Sequence, residues 1–281
     1  MFLVTGATGH VGREVVNLLA KAGERVTAVT RSPASADLPD GVRVVAGDPS
    51  SPATVASAFA GVEAILLAPR AVGAATADLL ALATEHGVRR AVLLSAITVE
   101  YGGGYRRFAE AFEAAEEAVK ASGLRWTFLR CADFAANTLA WAPQVRSAGL
   151  VRGAYGDAAT AAVHEHDIAD IAARALRDST HDGRSYAITG PEPLTQREKA
   201  RLIGAATGRD VPFVEIPPEQ ARRDMLAQGL PQDVPDRMLG YLATCRDQPG
   251  PATGTVEEIL GRPALGFGRW ATEHAAVFSA P

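Results

Sequence analysis

The stretch FLVTGATGHVGREVVNLLAKAGERVTAVTRS, residues 2–32, decides the fold of this chain. A short apolar run is followed by glycines at positions 6, 9 and 12, then by an amphipathic segment and a second apolar run. This order predicts a strand, a glycine-rich turn, a helix and a second strand. In that context a glycine triplet is typical of a turn that binds the phosphates of a dinucleotide.

Each glycine of the triplet has its own role in such a turn. Gly6 permits the tight turn, Gly9 lets a pyrophosphate approach the backbone, and Gly12 lets the helix pack close to the strand. The start of the helix offers free N–H groups and the positive end of its dipole to the phosphates. The other predicted cofactor-binding residues of this turn are Thr8, His10 and Val11.

The end of the second strand bears on the choice between NADP(H) and NAD(H). A carboxylate that binds a free ribose 2′-hydroxyl is expected about 20 residues past the glycines. Thr30 and Arg31 stand there instead, and a guanidinium favours a 2′-phosphate. We therefore expect NADP(H), although Arg31 is also interpretable as a solvated charge. Asp48, after the third strand, is placed to reach the adenine or to form a turn.

Strand-like and helical segments alternate over the first 130 residues. The short, continuously apolar strands indicate a parallel sheet buried on both faces. We predict strands at 2–5, 25–30, 42–46, 64–68, 91–95 and 126–129, and helices at about 10–22, 52–60, 72–86 and 106–121. The fold class is therefore α/β, a doubly wound parallel sheet of the Rossmann type with a smaller mixed C-terminal lobe.

The regular alternation of strand-like and helical segments ends after Arg130. Residues 131–160 read as a long irregular connection, and loops of that length are often functional. A helix capped by Asp167 follows, and a further helix starts at a capping box formed by Thr195 and Glu198. We divide the chain into a dinucleotide-binding domain at 1–155, with return segments near 160–190, and a mostly helical substrate lobe at 191–281.

Composition restricts the function classes. The net charge of −4 gives no electrostatic reason to expect nucleic acid or an anionic membrane as a partner. No apolar run approaches the roughly 18 residues that span a bilayer, and the N-terminus has no signal-peptide pattern. Cys131 and Cys245 form no CxxC motif and are interpreted as reduced thiols. We expect a cytoplasmic protein, a monomer or a homodimer.

With these residues in view, the chain resembles the NmrA-like group of the atypical short-chain dehydrogenases/reductases. That group includes NADPH:quinone reductases and triphenylmethane-dye reductases. The resemblance covers nearly the whole chain and is carried by several motifs in the family order. Among them are FLVTGATGHVG, VVAGDPSSPATVASAFAGVEAILLAP, EEAVKASGLRWTFLR and HEHDIADIAARAL.

The resemblance implies that substrate binds between the Rossmann domain and the C-terminal lobe. It also implies that the loops after Ala68 and Arg130 border the nicotinamide. The cofactor neighbours that follow from it are Ala68, Pro69, Arg70, Ser95, Ala96 and Phe134.

The wider superfamily uses a Tyr-x-x-x-Lys pair on the helix after the fifth strand. Alignment with that helix places the pair at Phe108 and Phe112, neither of which can donate a proton. Tyr101 and Tyr105 lie upstream, but neither has a lysine four residues on. Alcohol dehydrogenase, epimerase and dehydratase chemistry is therefore disfavoured, and the catalytic residues are left unassigned.

The absence of that pair does not exclude hydride transfer. A strong electrophile such as a quinone can take hydride directly from NADPH and its proton from water. Phe108 and Phe112, one helical turn apart, would then line an aromatic-substrate pocket, or else belong to the core. Trp141 and Tyr155 are further candidate pocket residues, with ordinary packing as the alternative.

Two functions remain open at this stage. The first is an NADPH-dependent oxidoreductase of a quinone-like or conjugated aromatic small molecule. The second is a non-catalytic NADP(H)-binding regulator that acts through a protein partner. We expect no metal site at His164, His166 and Asp167, and no nucleophilic role for Cys131.

Overall fold

The computed structural model describes residues 1–102 and 106–279. Its strands are β1 Phe2–Val4, β2 Val26–Thr30, β3 Arg43–Ala46, β4 Ala64–Leu67, β5 Arg90–Ala96, β6 Arg125–Cys131, β7 Val151–Gly153, β8 Ala159–Thr160, β9 Arg184–Ile188, β10 Leu194–Thr195 and β11 Phe213–Glu215. Its α-helices are α1 His10–Lys21, α2 Pro69–Val72, α3 Thr76–Glu85, α4 Thr98–Tyr101, α5 Arg106–Ala121, α6 Ala142–Ala148, α7 Glu165–Arg177, α8 Gln196–Thr207, α9 Pro218–Ala227, α10 Asp233–Asp247, α11 Thr255–Leu260, α12 Phe267–Glu273 and α13 Ala275–Phe278. Short 3-10 helices lie at Pro33–Ser35, Pro52–Phe59, Gly73–Ala75, Ala135–Trp141 and Ser179–His181.

The main sheet has the strand order β3-β2-β1-β4-β5-β6-β9 within the described residues. The pairs from β3 across to β6 are parallel, and the strand order reverses between β1 and β4. In open α/β sheets, ligands bind at such a reversal, outside the carboxyl ends of the strands. The predicted Rossmann class is therefore confirmed, and the topology places the glycine turn at the expected site.

The backbone forms two compact units. The first comprises residues 1–99, 110–131 and 165–187, and the second comprises residues 100–109, 132–164 and 188–281. Residues 132–155, which the sequence analysis grouped with the first domain, thus lie in the second unit. The role of the second unit in binding substrate stays a prediction.

Each unit has its own apolar core. In the first unit, Phe59 and Phe128 are fully buried among aliphatic side chains of the sheet and its covering helices. In the second unit, Trp270 is fully buried and stacks on Phe267 with ring centroids 5.2 Å apart. Burial of this apolar surface is the main favourable term in folding. It stabilises the short helices α12 and α13, which would be marginal in isolation.

Most local predictions are confirmed, and two are wrong. The capping box is present, because Thr195 accepts from the Glu198 N–H at 3.1 Å and Glu198 accepts from the Thr195 N–H at 2.8 Å. Asp167 is not an N-cap, since α7 begins two residues earlier and Asp167 lies buried in its first turn. The segment 131–160 is not irregular, since it contains α6, β7 and β8. Pro143 at the start of α6 and Gly149 after its end were the overlooked signals.

Candidate functional site

The glycine turn after β1 is fixed against the loop after β4. The Thr5 hydroxyl donates to the Leu66 carbonyl at 2.9 Å and accepts from the Ala68 N–H at 2.8 Å. Gly6 has a φ of +63°, and a Cβ on Gly12 would overlap the Gly6 carbonyl oxygen. The turn therefore requires glycine at both positions.

The start of α1 has the properties of a phosphate site. Gly9 is the N-cap, and it makes no side-chain cap hydrogen bond in the described part of the chain. Thr8, Gly9 and His10 are exposed, whereas Val11 is buried and supports the turn from below. Free N–H groups and the helix dipole fit a pyrophosphate, so the residues present fit a dinucleotide. The bound dinucleotide would supply the hydride.

The residues after β4 lie beside this turn. A Cβ on Gly6 would lie 2.9 Å from the Ala68 Cβ, so the two loops approach each other closely. Pro69 begins the short helix α2, and Arg70 is exposed on it. This placement fits the role that the resemblance implies for Ala68, Pro69 and Arg70, which remains a prediction.

Two guanidinium groups lie near the start of the chain. Arg31 is exposed at the end of β2. Arg13, in the first turns of α1, donates to the Asp37 carbonyl and lies 3.5 Å from the Asp37 carboxylate. The sequence analysis did not consider Arg13, although it directly follows Gly12. The contact of Arg31 with a ribose 2′-phosphate stays a prediction.

Asp48 has a clear local role. Its carboxylate accepts from the Ser50 N–H at 3.0 Å and from the Ser50 hydroxyl at 2.7 Å. These hydrogen bonds, with a smaller contribution from Arg31, lower the pKa of Asp48. The carboxylate therefore forms the turn that the sequence analysis gave as an alternative, and its contact with adenine stays a prediction.

Ser95 belongs to a buried polar cluster that the sequence did not reveal. Its hydroxyl donates to Glu116 at 2.7 Å, and Arg130 binds both oxygens of the same carboxylate at 3.0 and 2.7 Å. Glu116 is 2% exposed. The Ser95 side chain is therefore engaged with α5, and only its backbone and that of the neighbouring buried Ala96 are left to border a cofactor.

Helix α5 carries the two phenylalanines that the sequence analysis aligned with the superfamily's catalytic pair, an alignment that stays a prediction. Phe108 and Phe112 are both half-buried, and Glu116 follows one turn after Phe112. Arg237 lies over the Phe108 ring, 4.5 Å from its centroid. Tyr101 is 50% exposed, and Tyr105 lies outside the described residues.

The remaining candidate residues lie in the second unit. Phe134 pairs with Val163 in an isolated bridge. Trp141 is half-buried and packs edge-on against Phe213, with centroids 6.2 Å apart, so it contributes to the core. Tyr155 is half-buried at a turn with a φ of +59°.

A buried lysine in the second unit was also missed. Lys199 is 1% exposed and donates to Thr160, while its Nζ lies 3.4 Å from Asp133 Oδ2. Burial and the Asp133 carboxylate raise the pKa of the nearby Tyr241 hydroxyl, and burial raises the pKa of Cys245 to about 11. Nothing local in the sequence distinguishes Lys199 from a solvated helix residue.

Cys131, His164 and His166 are reactive residue types, and each is buried or lies close to a carboxylate in this structure. Burial raises the pKa of the Cys131 thiol, so it stays protonated at neutral pH and is a poor nucleophile. His164 lies 3.0 Å from Glu273, and His166 lies 3.3 Å from Glu14. Among the described residues, no group of three or more potential ligands is arranged to hold a metal ion.

No helix in the described ranges combines enough length with enough apolar character to cross a lipid bilayer.

Comparison with known proteins now identifies the group. A family model described as NAD(P)H-binding matches residues 6–179, which include the glycine turn and most of the main sheet. The chain belongs to the NAD(P)H-binding family. Its resemblance to the NmrA-like atypical short-chain dehydrogenases/reductases is confirmed, as is the expectation of an NAD(P)H-dependent reductase.

Relatives match this chain over its full length. A (4-alkanoyl-5-oxo-2,5-dihydrofuran-3-yl)methyl phosphate reductase from Streptomyces griseus is 39% identical over 99% of each chain. An NAD(P)H azoreductase from Xenophilus azovorans is 33% identical over 100% of each chain. The crystal structure of an NADPH-dependent quinone oxidoreductase from Escherichia coli superposes with a TM-score of 0.80. It is 25% identical and covers 97% of this chain and 99% of that one.

Proposed function

We propose that this chain is an NADPH-dependent reductase of a conjugated, electron-poor small molecule, with direct hydride transfer and no Tyr–Lys pair. The observation that carries the proposal is the intact dinucleotide turn, and it is supported by Phe108 and Phe112, which the sequence analysis aligned with that pair. The relatives named above reduce a furanone, an azo compound and a quinone, respectively. All three are conjugated acceptors to which hydride can be added directly.

The chain's own residues would then contribute binding and orientation rather than proton chemistry. The glycine turn, from Gly6 to Gly12, holds the pyrophosphate, and Arg31 holds a 2′-phosphate. Phe108 and Phe112 supply an apolar aromatic surface that excludes water from the acceptor. The proton that completes the reduction comes from solvent.

The test is an anaerobic assay of NADPH oxidation with four acceptors: a benzoquinone, an azo dye, a 4-alkanoyl-2,5-dihydrofuran-5-one and a cationic triphenylmethane dye. Turnover of one or more of these acceptors that needs both protein and acceptor supports the proposal. Tight NADPH binding without turnover of any acceptor would instead favour the regulator. Binding is measured on the same sample by fluorescence titration, so an inactive preparation is recognised.

A further inference from the structure

We propose that Glu116 and Arg130 are positioning residues for the nicotinamide half of the dinucleotide, because their buried ion pair fixes the carboxyl ends of β5 and β6. This inference rests on the proposed function and adds two residues to the same site. Both residues lie in the first unit, together with the glycine turn.

The two halves of a dinucleotide have different places along the carboxyl edge of such a sheet. The pyrophosphate binds at the start of the first helix, and the adenosine ribose binds at the end of the second strand. The nicotinamide half then lies on the other side of the reversal in strand order, toward β4 and β5. Strand β5 is the second strand from β1 on that side, a separation of about 10 Å.

A single carboxylate holds the ends of β5 and β6 together. Ser95 and Arg130 are paired in the parallel register, and each is the penultimate residue of its strand. Glu116 Oε1 accepts from the Ser95 hydroxyl at 2.7 Å and from Arg130 Nε at 3.0 Å. Glu116 Oε2 accepts from Arg130 Nη2 at 2.7 Å. The carboxylate therefore bonds to both strands at the edge where the nicotinamide half is expected.

The ion pair is buried and depends on its geometry. The Glu116 side chain is 3% exposed and the Arg130 side chain 19% exposed. Buried charges are stable only when hydrogen bonds are well aligned, and a planar guanidinium matches both oxygens of a carboxylate. A lysine keeps the charge but loses this planar contact through two nitrogens. Arg130→Lys should therefore loosen the strand ends without removing the positive charge.

The strand ends offer their backbone to a ligand. The Ser95 hydroxyl is bound to Glu116, so the predicted cofactor contacts of Ser95 and Ala96 are backbone contacts. A ligand bound in this way loses affinity when the protein groups must first be ordered. The affinity for the nicotinamide half should therefore depend on the ion pair that fixes these residues.

A second ion pair, at the opposite end of β5, provides the matched control. Arg90 is the first residue of β5 and donates to Asp182 at 2.7 Å and to the Leu176 carbonyl at 3.0 Å. The side chains of Arg90 and Asp182 are 10% and 18% exposed. Arg90→Lys therefore disturbs a largely buried ion pair of the same strand, away from its carboxyl end.

The test compares the binding of NADPH with that of adenosine 2′,5′-bisphosphate, by calorimetry, in Arg130→Lys. The bisphosphate has the adenosine and the 2′-phosphate of NADPH but lacks the nicotinamide half. We expect the Kd for NADPH to rise about 5- to 10-fold, the size of one lost hydrogen bond, and the Kd for the bisphosphate to stay within about two-fold. Arg90→Lys should leave both Kd values unaltered, although it also removes a planar contact.

Glu116→Gln is a second variant, since it keeps the shape of the side chain and removes its charge. It should raise the Kd for NADPH in the same selective way and add little in the Arg130→Lys background, because both changes act through one ion pair. An unchanged Kd for NADPH in both single variants would overturn the inference, as would an equal rise for the bisphosphate or in Arg90→Lys. These measurements need no turnover, so a wild type that binds NADPH but reduces no acceptor overturns the proposed function alone.

Discussion

At the scale of single residues, we expect Arg31 to set the preference for one dinucleotide over the other. It is exposed at the carboxyl end of β2, and it is close enough to Asp48 to contribute to the lowered pKa of that carboxylate. The 2′-phosphate is the chemical difference between NADPH and NADH, so a guanidinium at this position acts on that difference alone.

Replacement of Arg31 by Asp therefore tests the cofactor assignment. We expect the KM for NADPH to rise about 10- to 100-fold, because a charged hydrogen bond contributes roughly 1.5–3 kcal/mol. The KM for NADH should stay the same or fall. Arg25→Asp makes the same charge change near the opposite end of β2 and should leave both KM values unaltered. A preserved preference for NADPH in Arg31→Asp would show that the 2′-phosphate is bound elsewhere.

Ser95 gives a second test at this scale. Its hydroxyl is engaged with the buried Glu116, so it is not available to polarise a substrate carbonyl. Ser95→Ala should therefore keep kcat within about two-fold of wild type, while the loss of one hydrogen bond lowers the free energy of unfolding by about 1 kcal/mol. A kcat reduced a hundred-fold, with stability unaltered, would return Ser95 to the catalytic role that the superfamily gives it.

At the scale of elements, the Lys199–Asp133 pair joins α8 to the segment that follows β6. Removing one partner of a buried ion pair leaves an uncompensated charge. We expect Lys199→Met to lower the free energy of unfolding by about 3–5 kcal/mol, and the double variant with Asp133→Asn to lose less than the sum of the single changes. The measurement is urea unfolding, with the exposed Lys21→Met as control at under about 1 kcal/mol. Additive losses would show that the two side chains do not interact.

The elements also show what the sequence could and could not predict. The capping box at Thr195 is a local pattern, and it is present as predicted. The start of α7 was misplaced because the bridge between Phe134 and Val163, a contact between distant segments, constrains the chain just before the helix. Helix α6 was missed because it is short and contains Pro143 and Ser147, which are poor helix formers, although Pro143 and Gly149 mark its ends.

At the scale of the whole molecule, the fold and the dinucleotide turn were predictable because strand alternation and glycine spacing are periodic signals. The two buried polar clusters, around Glu116 and Lys199, were not predictable. Their members are 14 to 66 positions apart along the chain, and they come together only in the folded state.

In the proposed function, hydride passes directly from NADPH to the acceptor without a Tyr–Lys pair. The most direct test uses NADPH deuterated at C4 of the nicotinamide, in separate samples of each stereoisomer, with the 4-alkanoyl-2,5-dihydrofuran-5-one as acceptor. A carbon-bound deuterium does not exchange with water, so its position in the product can be read by NMR and mass spectrometry. We predict that one stereoisomer delivers its deuterium to the β-carbon of the acceptor, with the proton on the adjacent carbon coming from solvent. NADPH oxidation with no deuterium in the product from either stereoisomer would contradict direct transfer.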